Sequence, residues 1–203
     1  MAVVAPSERS EWGVLFTMQH YSIPTRLLDW SESFACAVFF AQLNRSPGDT
    51  ATIWVLDPAA VNQIAIGRYG MVALDEASSG DANIDVRSWH PQWVAPPTEL
   101  QSIAAVPIFT NPRMLPQRSR FTLMGDDFLS LDQQWSSKLV CDDRLVQISL
   151  PPETFEDAEE FLATAGLDAF SFYPDLHGLA LKHERKVERS IFNAKKWFPE
   201  KFK

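Results

Sequence analysis

The chain has 203 residues, of which 46% are hydrophobic and 22% charged, a composition typical of a globular protein and unlike that of a disordered one. Its net charge of −8 argues against a nucleic-acid partner, because a duplex-binding surface needs clustered Lys and Arg. Two cysteines without CxxC spacing indicate neither a metal site nor a disulfide framework. No apolar run approaches the roughly 20 residues that span a bilayer, so we expect a cytoplasmic protein with no membrane partner.

The predicted elements follow one another without a regular pattern. Apolar residues recur at helix spacing in EWGVLFTMQHY, and Pro24 should end this first helix because the residue before proline avoids the α region. The next helix, capped by Ser31 or Ser33, is apolar nearly all round and should be buried, and Asp175 is interpreted as a later capping residue. Helices are predicted at residues 11–21, 31–43, 59–66, 151–165 and 175–185. Strands are predicted at residues 51–56, 102–110, 120–124 and 145–150.

Because helices and strands mix without βαβ alternation, the sequence predicts an α+β fold. We expect a single compact domain with a mixed or antiparallel sheet and packed helices. It should cover residues 11–190, after a loose lead-in at residues 1–10 and before a basic tail at residues 191–203, whose aromatic side chains can dock on the body. Residues 67–97 show no clear periodicity and are interpreted as a functional loop, such as a lid, or as a partly ordered insertion.

Residues 18–41 read MQHYSIPTRLLDWSESFACAVFFA. This segment resembles the signature of the FRG domain family, in which a QH-x-G-x-PTRLLDWT-x-S core precedes a buried helix rich in Ala and Phe. Residues 111–124 and 172–180 resemble two later segments of the same family, so the resemblance runs from about residue 12 to residue 186. Ser22 stands where the family usually has Gly. The Phe/Tyr-Arg-Gly motif from which the family takes its name lies upstream of the QH segment in other members and does not occur in this sequence.

Each polar residue of the motif has a functional and a structural interpretation. His20 can act as an acid, a base or a ligand donor, or it can be held by the Asp29 carboxylate. Arg26 can face an anionic ligand such as a pyrophosphate, although a structural ion pair with Asp29 is the favoured interpretation. Trp30 can stack on a base or nicotinamide ring or fill the core, and Ser31 can cap the following helix or offer its hydroxyl to an anion.

The order of these features is similar to that of ADP-ribosyltransferases, in which an early Arg or His, a Ser or Thr at a strand end and a late Glu or Gln clamp NAD. By this analogy the fold is ADP-ribosyltransferase-like, and the chain binds NAD or a related nucleotide without a metal. Gln117 and His20 are then the catalytic candidates, although Gln117 can also satisfy a sheet edge. The ligand-binding candidates are Gln19, Arg26, Asp29, Trp30, Ser31 and Arg113.

Two alternative functions stay open. A non-catalytic module that binds a ligand or a protein suits the high aromatic content and the lack of a clear nucleophile. A toxin or phage-defence effector acting on RNA is the other, and the net charge argues against it. Stabilisation by NAD would favour the nucleotide enzyme, and salt-dependent RNA binding would favour the effector.

Overall fold

A computed structural model of the chain describes residues 11–74, 89, 100–107, 112–197 and 199–202. The helices in this part are α1 (Glu11–His20), α2 (Phe34–Gln42), α3 (Pro58–Ile66), α4 (Gln134–Cys141), α5 (Phe155–Thr164), α6 (Ala169–Phe172) and α7 (Leu176–Trp197). The strands are β1 (Leu27–Ser31), β2 (Ala51–Leu56), β3 (Val72–Ala73), β4 (Ile103–Val106), β5 (Ser119–Leu123) and β6 (Leu145–Leu150). Short 3₁₀ turns occupy Pro152–Thr154 and Pro199–Phe202.

The main sheet has the strand order β1-β5-β4-β3. Strand β5 is antiparallel to both β1 and β4, whereas β3 and β4 are parallel. Strands β2 and β6 form a separate two-stranded sheet. The predicted α+β class, with a mixed sheet and packed helices, is therefore confirmed.

The chain divides into two compact units. Unit 1 comprises residues 1–33 and 52–149, and unit 2 comprises residues 34–51 and 150–203. Unit 1 contains the main sheet, and unit 2 contains α2 and the helices that follow β6. The predicted boundaries at residues 11 and 190 stay a prediction.

The first core of unit 1 lies between α1 and one face of the main sheet. Trp12, Leu15 and Phe16 have the i, i+3, i+4 spacing of a single helix face, and all three are buried. The ring of Phe16 meets that of Phe121 on β5 at 5.1 Å between centroids. The spacing of apolar residues in α1 thus decides which face of the helix covers the sheet.

The other face of the sheet is tied to α3. Ala104 belongs to a second buried cluster with Val61, and its side chain points away from those of its neighbours in β4. The fully buried Asn62 accepts a hydrogen bond from the Ala104 backbone N–H at 2.8 Å and donates to the Ala104 carbonyl at 2.9 Å. It also donates to the Gly70 carbonyl at 2.6 Å. The side-chain amide of Asn62 thus satisfies the backbone N–H and carbonyl of Ala104, as a neighbouring strand would.

Unit 2 is built around the aromatic ring of Phe39. This ring stacks on Phe172 of α6 at 4.8 Å, and the Arg185 guanidinium of α7 lies 5.6 Å from its centroid. The buried Gln42 donates to the Phe155 carbonyl at 3.1 Å, and Arg185 donates to the Gln42 carbonyl at 2.7 Å. These contacts join α2, α5, α6 and α7 into one core.

Several predicted elements need correction. Strand β1 and helices α4 and α6 were not predicted, and α7 extends well beyond the predicted end at residue 185. Helix α2 is only half-buried, because Phe34 and Phe40 are exposed while Cys36 and Phe39 are buried. The expected end of α5 is confirmed, since Gly166 follows it with a φ of 69° that glycine adopts without strain.

The C-terminal tail also differs from its prediction. Residues 191–197 continue α7, and the Trp197 side chain is 73% exposed, so this side chain does not dock on the body. The side chains of Phe198 and Phe202, for which docking was also predicted, are not among those that the structure describes. Residues 1–10 and most of the segment 67–97 lie outside the described residues, so the lead-in and the lid stay predictions. Among the helices that are described, none has the length and apolar character that crossing a membrane requires.

Candidate functional site

The predicted site residues all lie in unit 1, on three neighbouring elements. Gln19 and His20 end α1, and Arg26 immediately precedes β1. Asp29, Trp30 and Ser31 lie on β1, while Arg113 and Gln117 lie in the turn of residues 112–118 before β5.

Gln19 and Asp29 form the centre of this arrangement. Gln19 lies one turn after Phe16, so it is on the side of α1 that faces the sheet. Its amide nitrogen Nε2 donates to Asp29 Oδ2, and its carbonyl Oε1 accepts from the Thr25 hydroxyl. Thr25 Oγ1 in turn accepts the Leu27 backbone N–H at 3.0 Å. This chain of hydrogen bonds fixes the orientation of the Gln19 amide towards the Asp29 carboxyl group.

The Asp29 carboxyl group is electrostatically unusual. Asp29 is exposed on β1, yet desolvation of its carboxyl group raises the pKa above the ordinary value of 3.8, and the hydrogen bond from Gln19 only partly opposes this. Within the part of the chain that the structure describes, Gln19 is its only hydrogen-bond donor, so Oδ1 is left with an open acceptor position. A carboxylate with these properties is a candidate for binding a ligand or for proton chemistry.

Ser31 and Gln117 are brought together, but through the main chain of Gln117. Ser31 Oγ donates to the Gln117 carbonyl at 2.7 Å and accepts the Ser33 backbone N–H at 3.0 Å. The Gln117 N–H donates to the Arg113 carbonyl at 3.1 Å. Ser31 therefore holds the 112–118 turn against the end of β1, with Arg113 and Gln117 in that turn.

Trp30 has the structural role among its two interpretations. Its indole Nε1 donates to the Thr122 hydroxyl at 2.8 Å, on the strand that pairs with β1. Its ring packs against the buried cluster that contains Val61 and Ala104. An indole fixed in this way fills the core on the α3 side of the sheet, the side opposite to Asp29.

The predicted ion pair between Arg26 and Asp29 is wrong. Arg26 Nη2 instead lies 3.3 Å from Asp126 Oδ1, and Asp126 Oδ2 accepts the Leu100 backbone N–H at 3.1 Å. Asp126 follows β5, which is the antiparallel neighbour of β1, so the pairing of the two strands places it beside Arg26. The guanidinium is thus used in a structural pair across the sheet.

His20 lies at the end of α1 beside an exposed aromatic residue. Its ring makes an edge contact with that of Tyr21 at 4.8 Å between centroids, and Tyr21 is 70% exposed. Ser22, the residue that stands where the FRG signature has Gly, has a φ of 58°. A left-handed residue at this point explains why glycine suits it, because glycine adopts positive φ without strain.

Three residues of the site were missed by sequence reasoning. Thr25 lies inside the PTRLLDW segment, and a hydroxyl two residues before a strand is a recognisable signal for binding the backbone. Thr122 and Asp126 are distant in sequence from their partners, and only the pairing of β1 with β5 reveals them. Among the described residues, no group of His, Cys, Asp or Glu side chains is arranged to hold a metal.

Comparison with known families gives a match for the segment that contains α1 and β1, which carry most of the predicted site residues. The family model of the FRG domain matches residues 2–50, about a quarter of the chain, and this range includes Gln19, Thr25, Asp29 and Ser31. The predicted resemblance of residues 111–124 and 172–180 lies outside the match and stays a prediction. Searches of curated proteins and of solved structures give no significant match. Residues 2–50 of this chain therefore carry the sequence of the FRG domain family.

Proposed function

We propose that unit 1 binds NAD or a related nucleotide, such as ADP-ribose, beside Gln19 and Asp29. The observation that carries this proposal is the partly desolvated Asp29 carboxyl group, which Gln19 orients and to whose second oxygen no other residue in the described part of the chain donates. A carboxylate with a free oxygen is suited to accept hydrogen bonds from ribose hydroxyl groups, as acidic residues do in dinucleotide sites.

The stability of the fold gives a second argument. Desolvation of a charged carboxyl disfavours the folded state at neutral pH, and the hydrogen bond from Gln19 only partly offsets this cost. Residues that cost stability are expected where function requires them, because active and binding sites trade stability for chemistry.

The surroundings supply groups that suit the rest of a nucleotide. The 112–118 turn, held to Ser31, carries Arg113 and the exposed Arg118, and a guanidinium suits the phosphate groups of a nucleotide. The exposed Tyr21 ring at the end of α1 offers a face on which a base can stack. Together with Asp29, these groups match a ligand that combines a ribose, phosphates and an aromatic base.

The same carboxylate suits the chemistry of ADP-ribose transfer. Breaking the bond between ribose and nicotinamide builds positive charge on the ribose, which a nearby carboxylate stabilises. Asp29 supplies this charge in the proposed site. Gln117 and His20 remain the catalytic candidates from the sequence, and both lie on elements that border Asp29 or Ser31.

A thermal-shift titration with NAD, ADP-ribose and ATP tests the proposal. We expect NAD or ADP-ribose to raise Tm, since a ligand at a hundred times its Kd stabilises the folded state by about 2.7 kcal/mol. The rise should be lost in Asp29→Asn and reduced in Gln19→Ala, Gln117→Ala and His20→Ala. Asp143→Asn, the same change at an exposed carboxyl elsewhere in unit 1, is the matched control and should keep the full rise.

A wild-type chain whose Tm is unaffected by all three nucleotides would contradict the proposal. A rise of equal size in Asp29→Asn would show that the nucleotide binds elsewhere, which contradicts the site. Because Asp29→Asn is expected to fold at least as stably as the wild type, loss of the rise in this variant reports on binding.

A non-catalytic binding module is the second candidate function. The observation that favours it is that Arg26, Trp30 and Ser31 all use their polar side-chain atoms in bonds within the protein. A site with few reactive groups can bind without converting its ligand. Incubation with NAD and measurement of released nicotinamide separates the two: binding without release favours the module.

A further inference from the structure

Helix α7 exposes three large apolar side chains on one of its sides, where the exposed His183 and Glu184 also lie. Leu176, Val187 and Ile191 lie eleven and four residues apart, which places them along one side of the helix, and they are 84%, 57% and 46% exposed. We call these three residues the apolar stripe. Arg185 is on the other side, where its guanidinium donates to the Gln42 carbonyl and lies 3.6 Å from Glu159. One side of the helix therefore packs on the rest of unit 2, and the other side exposes the apolar stripe to solvent.

The C-terminal segment that contains Val187 and Ile191 has a net charge opposite in sign to that of the whole chain. Residues 182–203 contain eight Lys or Arg and three Glu, a net charge of +5, although the chain as a whole carries −8. Lys186, next to Val187, is exposed. Local charge governs contacts at physiological salt, where the Debye length is about 8 Å. A partner for this surface should therefore be apolar at its centre and acidic at its edge.

A surface with these properties exists on α5 of the same chain. Asp157, Glu160, Phe161, Thr164 and Ala165 line an open depression of about 390 Å³, which we call the acidic depression. All five are exposed, and Phe161 contributes an apolar floor. The segment from Pro152 to Ala165 contains five acidic residues and no basic one. Its charge of −5 is equal and opposite to that of residues 182–203.

We propose that the apolar stripe docks into the acidic depression of a second copy of this chain. The apolar stripe cannot fill the acidic depression of its own chain, because the side of α7 that packs on the rest of unit 2 is the side opposite to the stripe. Two copies related by a two-fold axis can make the contact twice, since each contributes one stripe and one depression. Val187 and Ile191 are apolar and exposed, which does not suit an RNA partner. The acidic depression is a surface of this same chain that is both acidic and apolar, so a second copy is preferred to a lipid surface as the partner.

Sedimentation velocity of the full chain from about 1 µM to about 1 mM tests this proposal. We expect a dimer that Val187→Asp weakens at least about tenfold without lowering Tm, because this side chain is exposed. Phe128→Asp, the same kind of change at a fully exposed apolar residue in unit 1, is the matched control and should leave the dimer intact. Glu160→Lys should weaken the dimer, and adding Lys186→Glu should restore it by exchanging the charges.

Three results would overturn the proposal. One is a wild-type chain that stays monomeric over the whole concentration range. Another is a dimer unaffected by both Val187→Asp and Glu160→Lys. The third is a monomer that co-sediments with anionic phospholipid vesicles or with RNA through the apolar stripe, which would assign the stripe to a different partner.

Discussion

The ionised carboxyl group of Asp29 lowers the stability of the fold, whereas the proposed nucleotide site requires it. Desolvation raises the pKa of its carboxyl in the folded chain above the value of the unfolded chain. The protonated carboxyl is therefore favoured by folding, so its contribution to stability is present below the unfolded pKa and is lost as pH rises through the folded pKa. Near neutral pH the ionised carboxyl is a cost to the fold.

Asp29→Asn should consequently become stabilising as pH rises. At pH 3 the variant and the wild type should have similar Tm values, and above the raised pKa the variant should have the higher one. Thermal unfolding of both proteins from pH 3 to pH 7 measures this. A Tm difference for Asp29→Asn that stays constant or falls with pH would contradict the proposed desolvation of this carboxyl group.

Asn62 is the residue whose side chain contributes most clearly to the sheet. Asn62→Ala leaves the Ala104 N–H and carbonyl without their partner in a buried position, and each unmet group costs about 1–3 kcal/mol. We expect the free energy of unfolding to fall by about 2–4 kcal/mol in urea denaturation. Asn44→Ala removes an exposed amide and should change it by less than about 0.5 kcal/mol. Equal losses in the two variants would refute the role of Asn62.

At this scale the sequence predicts residue types better than partners. The motif marked Gln19, Asp29 and Ser31, which the structure places around one region of unit 1. It did not predict that Arg26 pairs with Asp126, because the two are a hundred residues apart and meet only through the pairing of β1 with β5. Local spacing indicated Asp29 as the partner, and the geometry of the strand decided otherwise.

Among the elements, the beginning of α7 depends on one glycine. A Cβ atom at Gly178 would lie 1.9 Å from the Tyr173 carbonyl oxygen, and the Gly178 N–H is accepted by the capping carboxylate of Asp175 at 3.0 Å. The predicted capping role of Asp175 is thereby confirmed. The close approach to Tyr173 requires a residue without a side chain.

Gly178→Ala should therefore destabilise the chain by about 1–3 kcal/mol, although Ala is the better helix former by about 1 kcal/mol. Gly48→Ala is the matched control, because a Cβ atom there meets nothing within 4 Å. That control should be neutral or slightly stabilising. Chemical denaturation of both variants gives the sign, and a stabilising Gly178→Ala would show that helix propensity outweighs the contact.

Elements with strong periodicity or clear end signals were predicted well. Helix α1 has its apolar residues on one face, and α3 begins after Asp57, whose carboxylate accepts the Ala59 and Ala60 N–H groups. Strand β1 was missed because LLDWS does not alternate apolar and polar residues. Helix α4 was missed because Trp135 to Ser137 have positive φ, which no propensity indicates. The full length of α7 was readable, since no Gly or Pro interrupts residues 179–198.

For the molecule as a whole, the distribution of charge is as informative as its total. The net charge of −8 conceals a basic C-terminal segment and an acidic α5, both in unit 2. The FRG match, in contrast, provides the Gln19–Asp29 pair of unit 1. The proposed nucleotide site and the proposed dimer contact therefore use different residues, and changes in one should leave the other measurable.

Isothermal titration calorimetry with ADP-ribose measures directly whether a nucleotide binds at Asp29. We expect binding to the wild type and to Asp143→Asn with the same Kd. Binding to Asp29→Asn should be at least about tenfold weaker, because a hydrogen bond to a charged carboxylate is roughly twice as strong as one to a neutral amide. Absence of heat with the wild type, or the same Kd in Asp29→Asn, would contradict the proposed nucleotide site.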